Sequence, residues 1–275
     1  KLTDKEKEAA KAKIDEAVKT AKAEIDKVTD PKLKDNVDTK LDEQLGNLDK
    51  IELDAADNDI DNIKAAAKSN VDSRADEIIK AIDKLPDLTV EQKKAAKDAV
   101  EAKAKEAKTA IDGIKASEGA DISVTKKEIE NQKNSATDLF DQKKTESAKN
   151  DLANAKTKAK DAIDTKAAET KAAIDAMPNL TEEEKAAKKA DVDKAATAAK
   201  ADIDTVTDPA IKDNVSSKKE TGNSALEQVE SAATNNDIDN MKSAAKSDID
   251  SAATDAKAAI DAMTDLTAKQ KEEAK

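Results

Sequence analysis

A chain of 275 residues with 61 acidic and 49 basic side chains, no cysteine, no histidine and one aromatic ring excludes several functions before any motif is read. Its net charge of -12 argues against a nucleic-acid partner, since gripping a phosphate backbone takes clustered Lys and Arg. Without cysteine there is no disulfide or thiol chemistry, and no apolar run approaches the roughly 20 residues that cross a bilayer, so membrane insertion is not expected.

High charge with few bulky apolar residues normally points to disorder. Here the apolar residues are periodic, and Ala, Lys and Glu are strong helix formers. The expectation is therefore an all-α chain. It opens on Lys rather than Met and shows no signal peptide, as an internal piece of a longer protein would.

The first helix starts at Thr3-Asp-Lys-Glu6, a capping box in which the threonine hydroxyl and the glutamate side chain each satisfy an orphan N–H. The box returns as Thr89 with Gln92, Thr181 with Glu184 and Thr267 with Gln270, so the threonines stand 86, 92 and 86 residues apart. Each comes directly after a leucine, as in Leu85-Pro-Asp-Leu-Thr89 and Met177-Pro-Asn-Leu-Thr181. A period of this length marks a repeat architecture. The seam behind the first box is Ile14, Val18, Ala21, Ile25 and Val28, a 4-3-4-3 spacing that gives one narrow apolar stripe. Val100, Ala104, Ala107, Ile111 and Ile114 repeat it, as do Val192, Ala196, Ala199, Ile203 and Val206.

Val28-Thr-Asp-Pro31 and its twin Val206-Thr-Asp-Pro209 end this helix and start a second, with Asp as cap and Pro at the first helical position. The second helix carries Leu33, Val37, Leu41, Leu45, Leu48 and Ile51. In the middle repeat it differs: Gly113 and Gly119 flank a looser connection, and the helix holds Ile129, Leu139 and Phe140. Phe140 aligns with Leu48 and Leu226 and is expected in the core. Gly46 and Gly222 fall at different alignment positions and read as tolerated weak points.

A third helix is expected to open at Asn58-Asp-Ile60, Asn150-Asp-Leu152 and Asn236-Asp-Ile238, since Asn and Asp are good caps. The organisation expected is repeat 1 over 1–85, a divergent repeat 2 over 86–177 with a six-residue insertion, repeat 3 over 178–263, and a truncated fourth start over 264–275. Three helices of about 25 residues per repeat make a three-helix bundle, and tandem bundles stacked end to end would form an elongated rod on the order of 120 Å. Each bundle is expected to start at its Leu-Thr box.

No residue stands out as catalytic. Asp57-Asn-Asp59-Ile-Asp61 resembles the opening of a calcium loop, but the sixth and twelfth positions are Asn62 and Lys68 instead of Gly and Glu. A thin bundle with repeating seams offers no pocket to shift a carboxylate pKa. The chain is thus expected to be no enzyme, to hold no metal and to need no cofactor. The eight box residues are expected to act as structural caps.

With these residues laid out, the chain resembles the tandem helical repeats of cell-wall-anchored surface proteins in Gram-positive bacteria, of the type in extracellular-matrix-binding protein homologues. Ala172–Lys185, Ala81–Thr89 and Asn236-Asp-Ile-Asp-Asn-Met-Lys242 carry the resemblance. It implies three-helix bundles outside the cell, a role in attachment and no catalytic residue. The leading expectation is a stalk that projects a distal adhesive domain from the cell wall, as a monomeric rod. The alternative is an adhesion module that binds a host matrix or serum protein such as albumin. A third reading, a desiccation protectant, rests on tracts like Lys103–Lys108, but such chains repeat every 11 residues or so and lack capped helices.

Overall fold

A computed structural model describes residues 2–115 and 122–275, so Gly119 lies outside the described residues. Among these residues the chain is helical, with no strand. The helices are α1 (Asp4–Asp26), α2 (Asp35–Asp83), α3 (Val90–Gly113), α4 (Ile122–Asp175), α5 (Glu182–Asp204), α6 (Asp213–Ala262) and α7 (Ala268–Ala274). One 3-10 turn, Pro31–Leu33, precedes α2, and another, Pro209–Ile211, precedes α6. In each, an aspartate caps the turn: Asp30 Oδ1 accepts from the Lys32 N–H and Asp208 Oδ1 from the Ala210 N–H, both at 2.9 Å.

The third helix does not open where expected. Asn58, Asn150 and Asn236 lie inside α2, α4 and α6, which run unbroken for 49, 54 and 50 residues. Asn and Asp cost a helix interior only about 0.7 kcal/mol each relative to Ala, whereas breaking the helix would orphan up to four N–H and four C=O groups. With neither Pro nor Gly nearby to force a stop, continuation wins.

The described chain divides into two compact units, Lys1–Ala148 and Lys149–Lys275, with the division inside α4. The core of the first unit joins Ile60–Ile82 of α2, Val100–Ile111 of α3 and Ile129–Phe140 of α4. That of the second joins Leu152–Ile174 of α4, Val192–Ile203 of α5 and Val215–Ala233 of α6. Each core is thus built from three helical segments: the helix before a Leu-Thr box and the two after it. The repeat limits at 85/86 and 177/178 fall within these cores, at the turns that carry Leu88 and Leu180. Sequence repeats and packing units are cut differently. Phe140 and Leu226, aligned in the sequence, occupy equivalent fully buried positions.

One buried position is poorly matched. Thr170 in α4 is fully buried and its hydroxyl has no hydrogen-bond partner, although Ile78 fills the equivalent place in α2. An orphaned hydroxyl costs about 1–3 kcal/mol, and valine has nearly the same shape. Thr170→Val is therefore expected to stabilise the second unit by about 1 kcal/mol, read as a higher urea midpoint; an unchanged or lower midpoint would contradict the orphaned hydroxyl.

Candidate functional site: the Leu-Thr junction

Each Leu-Thr box closes the same way. The Thr3 N–H donates to Glu6 Oε2 at 2.6 Å while the Glu6 N–H donates back to Thr3 Oγ1 at 3.3 Å. Thr89 and Gln92 exchange the pair at 3.0 and 3.1 Å, Thr181 and Glu184 at 2.8 and 3.2 Å, Thr267 and Gln270 at 2.9 and 3.3 Å. The four threonines share an extended backbone, with φ between -67° and -69° and ψ between 159° and 161°. That is the geometry in which a threonine side chain reaches the N–H three residues on.

The middle of a long helix then grips the box. Asp59 and Asn62 stand three residues apart in α2 and so share a face. Asp59 Oδ1 accepts from the Leu2 N–H at 2.6 Å, and Asn62 Nδ2 donates to Glu6 Oε2 at 3.0 Å. In α6, Asp237 and Asn240 do the same for the third box. Asp237 accepts from the Asn179 N–H at 2.6 Å and from its amide at 3.1 Å, while Asn240 Nδ2 reaches Asn179 O at 2.9 Å and Glu184 Oε2 at 2.8 Å. The Asn-Asp-Ile-Asp-Asn motif therefore acts as a latch on a distant cap. The cap glutamate is where local and tertiary hydrogen bonds meet.

The same level of each long helix takes up other chain ends. In the first unit, Asp59 pairs with Lys126 at the start of α4 at 2.5 Å, and Lys64 and Lys68 reach Asp112 O and Asp112 Oδ1 at the end of α3. In the second, Asp151 pairs with Lys212 at 2.6 Å, and Lys156 and Lys160 reach Asp204 at the end of α5. Asp151 is nearly fully buried, unlike the solvated ion pairs along the helix faces, each of which contributes at most about 1 kcal/mol.

These contacts set the electrostatics. The Thr3 backbone N–H, with help from the Thr3 hydroxyl and Asn62, holds the Glu6 carboxyl below its ordinary value. The Thr181 N–H does so for Glu184, outweighing a desolvation that pushes the other way, and the Asn240 amide and the Thr181 hydroxyl add to the lowering. Burial pushes Asp59 up, but the Lys126 ammonium and the Leu2 N–H more than offset it, and its value is also lowered. A depressed folded value means the contribution is present above the unfolded carboxylate value and is lost as pH falls through the folded one. Gln92 and Gln270 close the same box without titrating. Glu184→Gln is thus expected to lose less stability than the parent chain when melts are compared between roughly pH 5 and 3. Parallel acid curves would refute this role.

The eight box residues are brought together as four pairs, each closed within its own helix start. Asp59, Asn62, Asp237 and Asn240 escaped sequence reasoning as latch residues, although the i, i+3 spacing repeated between copies was visible. Among the described residues no group of three acidic side chains is placed to hold a metal ion, and no helix is long and apolar enough to cross a membrane.

Two family models match parts of the chain. Residues 155–234 match the Domain of Unknown Function (DUF1542), nearly the same span as the second core, Leu152 to Ala233. Residues 68–110 and 248–275 match the GA module, in each case the end of a long helix, a Leu-Thr box and the start of the next helix. No curated protein and no solved structure matches the chain. Both families are binding or structural modules rather than enzymes, and both are typical of cell-surface proteins. The resemblance read from the sequence stands: segments 68–110, 155–234 and 248–275 match three-helix repeat domains of the surface proteins of Gram-positive bacteria.

Proposed function

We propose that the chain is a non-catalytic spacer segment of a bacterial surface adhesin, holding a distal domain away from the cell wall, with the repeats 1–85, 86–177 and 178–263 as its units of length. The observation that carries this reading is the recurrence of one construction: a box-capped helix, a Pro-marked turn, and an unbroken helix of 49 residues or more that latches the box. Mixed charge on every face, net negative, suits a segment that must stay solvated and not stick to its neighbours. Surface display tests it. A tag placed beyond no copy, one copy or two copies of the segment should become steadily more accessible to antibody on intact cells. Equal accessibility in all three would defeat the spacer reading.

A second reading has an observation of its own, the match of 68–110 and 248–275 to the GA module, an albumin-binding module. Under it, the chain binds a host serum protein through one of these segments. Calorimetric titration of the whole chain with serum albumin should then saturate, and a flat titration rejects it.

A further inference from the structure

We propose that the Asp30–Pro31 and Asp208–Pro209 peptide bonds are self-cleavage sites, each opened by the aspartate's own carboxyl group. The chain has four prolines, and only these two follow an aspartate; Pro86 follows Leu85 and Pro178 follows Met177. Both bonds lie in the same turn, where an extended aspartate caps a 3-10 helix that begins with proline.

Nucleophile, electrophile and leaving group meet at one carbon. Oδ1 of each aspartate is held by the backbone N–H two residues on, at 2.9 Å, while Oδ2 accepts no hydrogen bond among the described residues. Any aspartate can close a five-membered ring on its own main-chain carbonyl carbon; here the bond at Oδ1 removes rotational freedom that the ring closure would otherwise cost. The carbonyl under attack is already engaged. Asp30 O accepts from the Leu33 N–H at 2.9 Å and Asp208 O from the Ile211 N–H at 3.1 Å. A donor aimed at that oxygen stabilises the negative charge it gains as the carbon becomes tetrahedral. The leaving group is the nitrogen of a tertiary amide, which takes a proton more readily than an ordinary peptide nitrogen and departs as a secondary amine. With no N–H of its own, it is tied to nothing else in the turn.

The step balances with water alone. Oδ2 attacks the carbonyl carbon, and the C–N bond to proline breaks as the nitrogen takes a proton from solvent. The products are a cyclic aspartic anhydride and a free N-terminal proline. Water then opens the anhydride to a C-terminal aspartate, and nothing is oxidised or reduced. Because the nitrogen leaves protonated, mild acid speeds the cut. The charged groups around the second turn are occupied with one another, Lys156 with Asp204 and Lys212 with Asp151, and Lys27 beside the first turn is paired with Glu24. Neither cap aspartate has an ion-pair partner among the described residues.

Each cut falls between helices that stay packed. Beyond Asp208, α6 keeps Val215, Leu226 and Ala233 in the second core. Before Pro31, α1 stays latched to α2 through Leu2 and Glu6. A nicked chain is therefore held by packing and hydrogen bonds alone, which turns a covalent joint into a releasable one. The chemistry stands on the turn, and it holds or fails separately from the spacer and albumin readings.

The test incubates the full chain for days in heavy-oxygen water, in mild acid at a pH where circular dichroism shows the helices intact. Denaturing mass spectrometry should find chains ending at Asp30 and Asp208 and chains beginning at Pro31 and Pro209, with Leu85–Pro86 and Met177–Pro178 whole. The label should enter the side-chain as well as the main-chain carboxyl of the new terminal aspartate, because water can open the anhydride at either carbon. Direct hydrolysis labels only the main-chain carboxyl. The folded chain should be cut roughly tenfold faster than the same chain in guanidinium chloride at the same pH; these turns are exposed, so the gain falls short of the roughly 10²–10³ of an enclosed oxyanion donor. Asp208→Ser keeps a capping side chain, and it should abolish the cut at 208 while Asp30–Pro31 in the same molecule is still cut. Chains that stay whole, label confined to the main-chain carboxyl, equal rates folded and unfolded, or a cut that persists in Asp208→Ser would each overturn the proposal.

Discussion

Phe140→Ala is expected to cost the first unit about 3–5 kcal/mol, the range for removing a fully enclosed phenylalanine. The magnitude matters because this core is thin. Besides Phe140, its buried members are alanine, valine, isoleucine and leucine, and five of the fifteen are alanine. Alanines let helices approach closely but bury little area, so a single ring supplies a large share of what keeps α4 against α2 and α3. Neighbours pinned on rigid helices cannot collapse into the space it leaves. Hydrogen exchange provides the local readout: amides in peptides covering Ile60–Ile114 should lose protection by two to three orders of magnitude, about 1.4 kcal/mol per factor of ten. Phe140→Leu copies the solution at Leu226, and a near volume-conserving exchange should cost less than about 1.5 kcal/mol. Equal losses for the two variants would mean that the ring is not filling the space assigned to it.

How much of the fold was legible in the sequence depends on the range of the forces involved. The boxes were legible because capping is settled within four residues: Thr89 needs only Gln92 and an extended φ/ψ to close. The apolar seams were legible because a helix must bury one face, and Val100 and Val192 sit fully buried where the period put them. Asn58-Asp-Ile-Asp-Asn62 was misread for the same reason that the boxes were read well. Asn and Asp are cap residues, and local rules see a helix start, while the partners that decide otherwise, Leu2 and Glu6, lie 57 and 56 residues away. Nor was the grouping of helices into cores legible. A helix that continues from one core to the next carries two seams in succession, and nothing local says that Ile60 changes neighbours relative to Ile51. The Leu-Thr box, expected to begin a bundle, instead sits at the turn inside one, with Leu88 and Leu180 among the buried residues.

Gly222→Ala is expected to destabilise the second unit although the same substitution at Gly46 should stabilise the first. In sequence the two glycines look alike, each a flaw of about 1 kcal/mol in a long helix. In the structure they are opposites. A Cβ at Gly46 would meet nothing within 4 Å, so Gly46→Ala recovers helix propensity and should raise stability by up to about 1 kcal/mol. A Cβ at Gly222 would lie 2.6 Å from Ala199 Cβ and 2.8 Å from Ile163 Cδ1. The isoleucine tip can turn aside, but the alanine Cβ is fixed to the α5 backbone, so α5 and α6 must move apart. Separation opens the seam around Leu226 and Ile203, and overpacking of this kind costs typically about 1–3 kcal/mol, more than the propensity gained. Gly222 is therefore a contact that sets the α5–α6 distance. Shortening the opposing side chain tests the cause. Ala199→Gly alone should destabilise, by lost propensity and a small void, yet combined with Gly222→Ala it should recover part of what Gly222→Ala loses, giving a favourable coupling in the double-mutant cycle. Strictly additive losses would show that the two backbones do not depend on that contact.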